Sequence, residues 1–291
     1  MRAFVEIADR GSLTAAAQAL GKSQPTMVRT LSNLESVLGA RLLRRTTRRI
    51  ALTEEGRGYL VQCRRILAEI EDAERSIASG DAEPRGELRI TAPVTFGQQH
   101  VAPIVVAFLK QYPKVRVELL LLDRVVNLLE EGVDLAVRIG PLADSTMVAT
   151  RVGSMRRVLV ASPAFLQQHG RPADPEAIAG CPCVQFRGLG TGGTWRFRDG
   201  VRQIPVKMLG AFATNHALTA VEACVEGIGY GLFLAYQVAP AVTEGRLVRL
   251  LEGFEPIPEP VSLVYSDARL MSPNLRVLLD YIRDRLRDEL A

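Results

Sequence analysis

The sequence predicts a multidomain chain: an N-terminal all-α winged helix-turn-helix with a long linker helix, followed by a C-terminal two-lobed α/β domain. Three observations carry this. The 291 residues amount to two domains at roughly 150 residues each. Residues 1–79 read as helices with a single short hairpin, whereas the remainder alternates strands with helices. Between them Ser79-Gly-Asp-Ala-Glu-Pro-Arg-Gly86 mixes small, charged, Pro and Gly residues, the signature of a linker.

Composition removes several classes of function. Hydrophobic residues make up 47% and charged residues 23% of the chain, the balance of a globular protein rather than a disordered one. No apolar run reaches the length of a membrane span. Glu6 and Asp9 interrupt the stretch where a secretion signal needs continuous apolar residues, so the expected compartment is the cytoplasm, with no membrane partner. Cys63, Cys181, Cys183 and Cys224 lack disulfide or zinc spacing, and His100, His169 and His216 are scattered. No metal and no cofactor is expected.

The net charge of +4 is small, but its distribution is uneven. Between Lys22 and Arg65 stand ten basic residues (22, 29, 41, 44, 45, 48, 49, 57, 64, 65) against three acids (35, 54, 55). Within that region Ser12 caps a short helix, Leu13 to Leu20, which Gly21 ends. Ser23 caps the next, with Pro25 tolerated in the first turn. Met27, Leu31, Leu34 and Leu38 form one apolar stripe along it, leaving Pro25, Thr26, Arg29, Ser32 and Asn33 on the opposite face. Alone, such a stripe also fits plain core packing with a solvated outer face.

The next segment favours nucleic acid. Five of the nine residues from 41 to 49 are arginine, with Thr46-Thr47 as the tip of a short hairpin. Arginines on such a wing can straddle the phosphates flanking a groove that the second helix enters. The expected DNA contacts are Ser23, Gln24, Pro25, Thr26, Arg29 and Asn33 on the helix, with Arg44, Arg45, Arg48 and Arg49 on the wing. Thr53-Glu-Glu-Gly56 then starts a helix running to about Ser79. Leu60, Cys63, Leu67, Ile70, Glu74 and Ile77 recur at spacings of three and four, a short coiled-coil seam with one polar member. A second copy is the simplest cover for it, and a homodimer presents two reading helices to a two-fold operator in double-stranded DNA.

Beyond the linker the reading is strand Leu88–Ala92, helix Gln98–Gln111, strand Val115–Leu121, helix Val125–Glu131 and strand Asp134–Ile139. This βαβαβ run implies a parallel sheet with a ligand crevice at its strand C-terminal ends. Further strands are expected near 157–161, 184–187, 206–215, 230–234 and 261–265, with helices near 216–226 and 274–287. About 200 residues of this kind suit two sheets.

These segments together resemble the LysR-type transcriptional regulators. The resemblance rests on Phe4–Leu20, Ser23-Gln-Pro25, Leu34-Glu35, Leu38-Gly39, Leu42–Arg49 and Leu52–Gly56. It extends to Pro93–Gly97, Asp134–Gly140, Ala161-Ser-Pro163 and Gly227–Gly231. It implies a winged helix-turn-helix (1–53), a dimerising linker helix (54–79), a hinge (80–87) and an effector-binding domain (88–291) shaped like a periplasmic binding protein. It further implies a small-molecule effector, a homodimer or homotetramer, and RNA polymerase at target promoters. Two departures stand out. Members usually carry several residues ahead of the stretch that begins here at Met1, so the first helix is expected to be short by about a turn. They also usually have a serine where Val28 stands.

Two interlobe crossings are expected, near Ala161-Ser-Pro163 and Tyr265-Ser266, which assigns 88–161 with 265–291 to lobe I and 162–264 to lobe II. Three residues fall at the facing strand ends: Thr95 in the loop before the helix at Gln98, Arg138 ending the third strand, and Asn215 before the helix at 216. They are the expected effector contacts; helix capping for Thr95 or Asn215 and a structural ion pair for Arg138 are the alternatives.

Enzyme readings find little support. Gly188-Leu-Gly-Thr-Gly-Gly193 matches a dinucleotide fingerprint as a string, but Trp195-Arg-Phe197 follows where a helix is required. No nucleophile elbow occurs. A solute-binding protein would explain the lobes but not residues 1–79.

Overall fold

The computed structural model describes residues 1–45, 50–78, 84–142, 147–189, 193–266 and 271–290. The N-terminal domain opens with α1 (Arg2–Arg10), α2 (Leu13–Ala19) and α3 (Gln24–Leu38). Ser12 and Ser23 cap α2 and α3, accepting the N–H groups of Ala15 and Thr26, so both caps fall where the residue types require them. The strands β1 (Leu43–Arg45) and β2 (Ile50–Leu52) pair antiparallel as the wing, with Leu43 opposite Leu52. Its tip, residues 46–49, lies outside the described residues.

Phe4, Ile7, Ala16, Met27, Leu31 and Leu42 form the core of this domain. The apolar stripe of α3 ends sooner than expected. Met27 and Leu31 are buried, but Leu38 is 40% exposed beside the exposed Val37, because the chain turns away at Gly39.

Helix α4 (Glu54–Ala78) begins at Thr53, whose Oγ1 accepts the Gly56 N–H at 2.9 Å and donates to the Arg41 carbonyl at 2.7 Å. Two seam positions are corrected here. Leu60 and Cys63 are buried in the chain's own core, where Tyr59 meets the Phe4 ring at 5.8 Å, so they serve α1 packing rather than a partner helix. An Arg64–Asp9 ion pair ties the same helices together. Further along, Leu67 is half-buried and Ile70 is 42% exposed; the side chains of Glu74 and Ile77 lie outside the described set.

The C-terminal domain has two five-stranded sheets. In the first, β3 (Gly86–Ala92), β4 (Val115–Leu121) and β5 (Leu135–Ile139) run parallel, and β6 (Val148–Met155) completes it, in the order β4-β3-β5-β14-β6 with β14 (Glu259–Tyr265) antiparallel to β5 and β6. The second takes β7 (Arg157–Ala161), β8 (Pro182–Phe186), β11 (Leu209–Thr214), β12 (Tyr230–Leu234) and β13 (Val248–Leu250), in the order β11-β8-β12-β7-β13. A hairpin, β9 (Thr194–Asp199) with β10 (Arg202–Lys207), covers the second sheet through Trp195, Phe197, Ile204 and Val206.

Helix α5 (Val94–Phe96) passes through a π-turn (Gly97–Val101) into α6 (Ala102–Gln111), and α6 packs with α10 (Pro273–Leu290) on one face of the first sheet. The second lobe carries α7 (Pro163–His169), α8 (Ala217–Val225) and α9 (Ala235–Thr243).

Three expectations are corrected. The lobe crossings fall between β6 and β7 and between β13 and β14, since β7 pairs within the second sheet and β14 within the first. Residues 157–161 therefore belong to the second lobe and 259–264 to the first. The expected helix Val125–Glu131 is an extended strap with one turn. Asn127 Oδ1 accepts the Leu129 and Glu130 N–H groups at 3.2 and 3.4 Å, and Gly132 at φ 64° ends the turn. Val126, Leu128 and Val133 then pin the strap to Ala136 and Val264 on the open face of the sheet. The expected strand Val206–Asn215 is divided at buried Met208 into β10 and β11, which pair with different neighbours.

The outer edge of the strap meets the linker helix. Gln62 Nε2 donates to the Leu129 carbonyl at 2.6 Å, and Gly132 lies so close to Val61 that a β-carbon there would overlap it.

Candidate functional site

Two regions gather the functional side chains, the first at α3. Ser23 and Thr26 hydroxyls meet at 2.8 Å, and Thr30 Oγ1 donates to the Thr26 carbonyl at 2.9 Å. With Met27 and Leu31 buried below, Ser23, Gln24, Pro25, Thr26, Arg29 and Asn33 are all exposed along one side. Ser23 thus has a cap role as well as an outward position. Gln24, Arg29 and Asn33 carry amide and guanidinium groups, the types whose geometry suits base edges in a major groove. Val28, half-buried, offers only methyl groups.

The wing is fixed to α3 by Glu35. Its Oε1 accepts the Leu42 N–H at 2.8 Å and the Leu43 N–H at 3.2 Å, which sets where β1 leaves the helix. Arg44 on β1 is exposed, and Arg45 closes the strand opposite Ile50. Arg48 and Arg49 lie outside the described residues.

The second region is where the two lobes meet. Thr95 stands in the first turn of α5 rather than in a loop and is 3% exposed. Beside it Asp123, just past β4, accepts the Val94 N–H through Oδ1 at 3.0 Å, while Oδ2 is buried with no hydrogen-bond partner among the described residues. Burial raises the Asp123 carboxyl above the ordinary carboxylate range, against the opposing pull of the Val94 N–H and of His216 from the second lobe. Gly188 of the second lobe lies directly against Asp123, where a β-carbon would meet it at 3.0 Å. Tyr236 of α9 reaches across to the first lobe, edge-on to Phe96 at 5.5 Å and His100 at 5.4 Å. Its hydroxyl is pushed up chiefly by burial and also by Asp123.

Asn215 is exposed, and the cap of α8 is the next residue, His216, whose Nδ1 accepts the Thr219 N–H at 3.4 Å. Arg138 sits on β5 with its Nη2 buried and unpartnered, among charges from Glu131 and Arg124 of the strap. Asp123, His216 and Tyr236 escaped the sequence reading, although each stands at a strand-to-helix or strand-to-loop junction, the same signal that singled out Thr95. The Gly188–Gly193 string leads into strand β9, so no helix N-terminus follows it.

A DNA-reading helix with a basic wing, joined by a long helix to a two-lobed domain, defines a ligand-responsive transcription regulator. Family comparison agrees. Residues 1–57 match the bacterial regulatory helix-turn-helix protein, lysR family, and residues 81–287 match the LysR substrate binding domain. The chain belongs to the LysR family of transcriptional regulators, with a DNA-binding helix-turn-helix and an effector-binding domain. It is 35% identical over 287 residues to the HTH-type transcriptional regulator PtxR of Pseudomonas aeruginosa, covering 99% of this chain and 92% of that one. It is 32% identical to the HTH-type transcriptional regulator CrgA of Neisseria meningitidis, covering 99% and 96%. The solved structure of CrgA superposes with a TM-score of 0.61 at 31% identity, covering 98% of this chain and 97% of that one. These relatives are regulators of transcription, not enzymes. Among the described residues no helix is long and apolar enough to cross a membrane.

Proposed function

We propose that the chain acts in the cytoplasm as a homodimer that reads a two-fold operator with α3, holds the flanking phosphates with the wing, and responds to an effector between its lobes. The observation that carries this is the division of α3 into a buried side, Met27 and Leu31, and an exposed side bearing Gln24, Pro25, Thr26, Arg29 and Asn33. Arg29 reads a base, whereas Arg44, Arg45, Arg48 and Arg49 hold phosphates. Dimerisation runs along α4 beyond Cys63, where Leu67 and Ile70 remain for a partner helix. Pairing of dimers gives a tetramer, and RNA polymerase is met at target promoters. Thr95, Arg138 and Asn215 contact the effector, with Asp123, His216 and Tyr236 completing the crevice.

Titrations on selected operator and random DNA at several salt concentrations test the reading of DNA. Arg29→Ala should cost about 1–3 kcal/mol on the operator and relax its specificity. Arg48→Ala should weaken both DNAs alike and lower the salt slope by about one. Unchanged affinity in both variants would overturn the assignment.

A further inference from the structure

We propose that Arg138 anchors a carboxylate-bearing ligand on the open face of the first-lobe sheet, a statement that rests on the effector-domain reading and gives it a chemical class. Leu135, Val137 and Ile139 of β5 point into the core under α6 and α10. Strand alternation puts Arg138 on the other face with Ala136, beneath the strap. There its Nη2 is shut off from solvent, and among the described residues it meets no acceptor and Arg138 forms no ion pair. Glu131, the acid among the described residues whose charge bears on it, is already committed: both its carboxylate oxygens are taken by Arg124, at 2.8 and 2.7 Å. A guanidinium N–H group buried without an acceptor is unfavourable, and an anion that reaches it relieves the cost.

Two hydroxyls stand on that face near Arg138. Ser262 of β14, 5% exposed, stands directly across from Arg138, and Thr91 of β3 pairs in register with Ala136. Thr91 is fully buried and its Oγ1 also lacks a partner. One fork-shaped cation beside two hydroxyl donors matches the planar, singly charged carboxylate. A phosphate dianion would call for a second cation, and Arg124, whose charge bears on Arg138, is already paired with Glu131.

The test uses the full-length protein, with acetate, pyruvate, lactate, succinate and benzoate as probes and with phosphate and benzamide as controls. Thermal melting and calorimetry are the readouts. At least one carboxylate should raise the melting temperature of the wild type, and Arg138→Gln should weaken its binding by about tenfold or more. In the absence of any carboxylate, Arg138→Gln should melt no lower than the wild type, because no bond is lost. A lower melting temperature for that variant would mark a structural arginine and overturn the proposal. So would binding equal to wild type, a response to phosphate alone, or no response to the five carboxylates. Thr95→Val and Asn215→Ala separate this from the crevice reading. If carboxylate binding falls in Arg138→Gln but is unchanged in these two, the anchor stands while their assignment to the effector fails.

Discussion

At the scale of single residues, two positions set the angle between wing and helix. A β-carbon at Gly56 would overlap the Leu42 carbonyl, whose oxygen also accepts the Thr53 N–H at 3.0 Å, so the start of α4 tolerates no side chain there. Gly56→Ala should destabilise the DNA-binding domain by about 1–3 kcal/mol, as overpacking does, measured by urea unfolding of the full chain. Glu35→Ala should cost a similar amount by leaving the Leu42 and Leu43 N–H groups without their charged acceptor, and it should weaken operator binding as well. Neither role was legible beforehand, because both depend on how β1 folds back against the flanking helices, which no local pattern records. The buried thiols give a pH test. Burial pushes Cys183 up to about 11 from its ordinary 9.0, and Cys224 in the same direction. The folded chain holds the Cys183 proton more tightly than the unfolded chain. Its contribution to stability is therefore complete below about pH 9 and lost as pH rises through about 11. Cys183→Ala should flatten the decline in stability over that range, and iodoacetamide should label both thiols only after unfolding.

Among elements, the linker helix changes surroundings along its length. Its first turns, through Leu60 and Cys63, are part of the N-terminal core, whereas Leu67 is half-buried and Ile70 exposed, so the proposed seam starts at Leu67. The three–four spacing carries no mark of that division, since an intrachain contact with α1 and an interchain seam demand the same periodicity. Leu60→Asp should therefore unfold the N-terminal domain. Leu67→Asp should leave it folded but halve the mass by light scattering and lose two-half-site binding. An unaltered mass together with intact operator binding in Leu67→Asp would refute the seam. The strap shows the opposite failure. Val125–Glu131 has the composition of a helix, yet Asn127 and Gly132 confine it to one turn, and Val126 and Leu128 point to the sheet at a strand-like interval of two. Both N-caps of the helix-turn-helix, by contrast, were readable because Ser12 and Ser23 act within a few residues of their own helices.

On the scale of the whole molecule, an α/β domain with room for two sheets was legible from the alternation of strands and helices, and two lobes from the family resemblance, but the assignment of strands to sheets was not. Nothing local in Arg157–Ala161 or Val261–Tyr265 reveals which lobe each joins; that follows from pairing with strands far along the chain, such as Tyr265 with Leu135. The consequence is that each crossing sits between β-strands, and Tyr236 and Gly188 bring the second lobe onto Phe96 and Asp123 of the first. The strap that begins at Asp123 ends against Val61 and Gln62 of the linker helix, which places the lobe junction and the DNA-binding arm on one continuous segment. Regulation of this kind requires α3 to read a specific operator. Genome-wide mapping of DNA bound by the wild type and by Arg29→Ala in living cells tests it most directly. The wild type should yield discrete sites sharing a two-fold motif with half-sites about one helical turn, or a multiple of it, apart, and Arg29→Ala should lose them. Binding without a shared motif, or the same sites in both proteins, would contradict it.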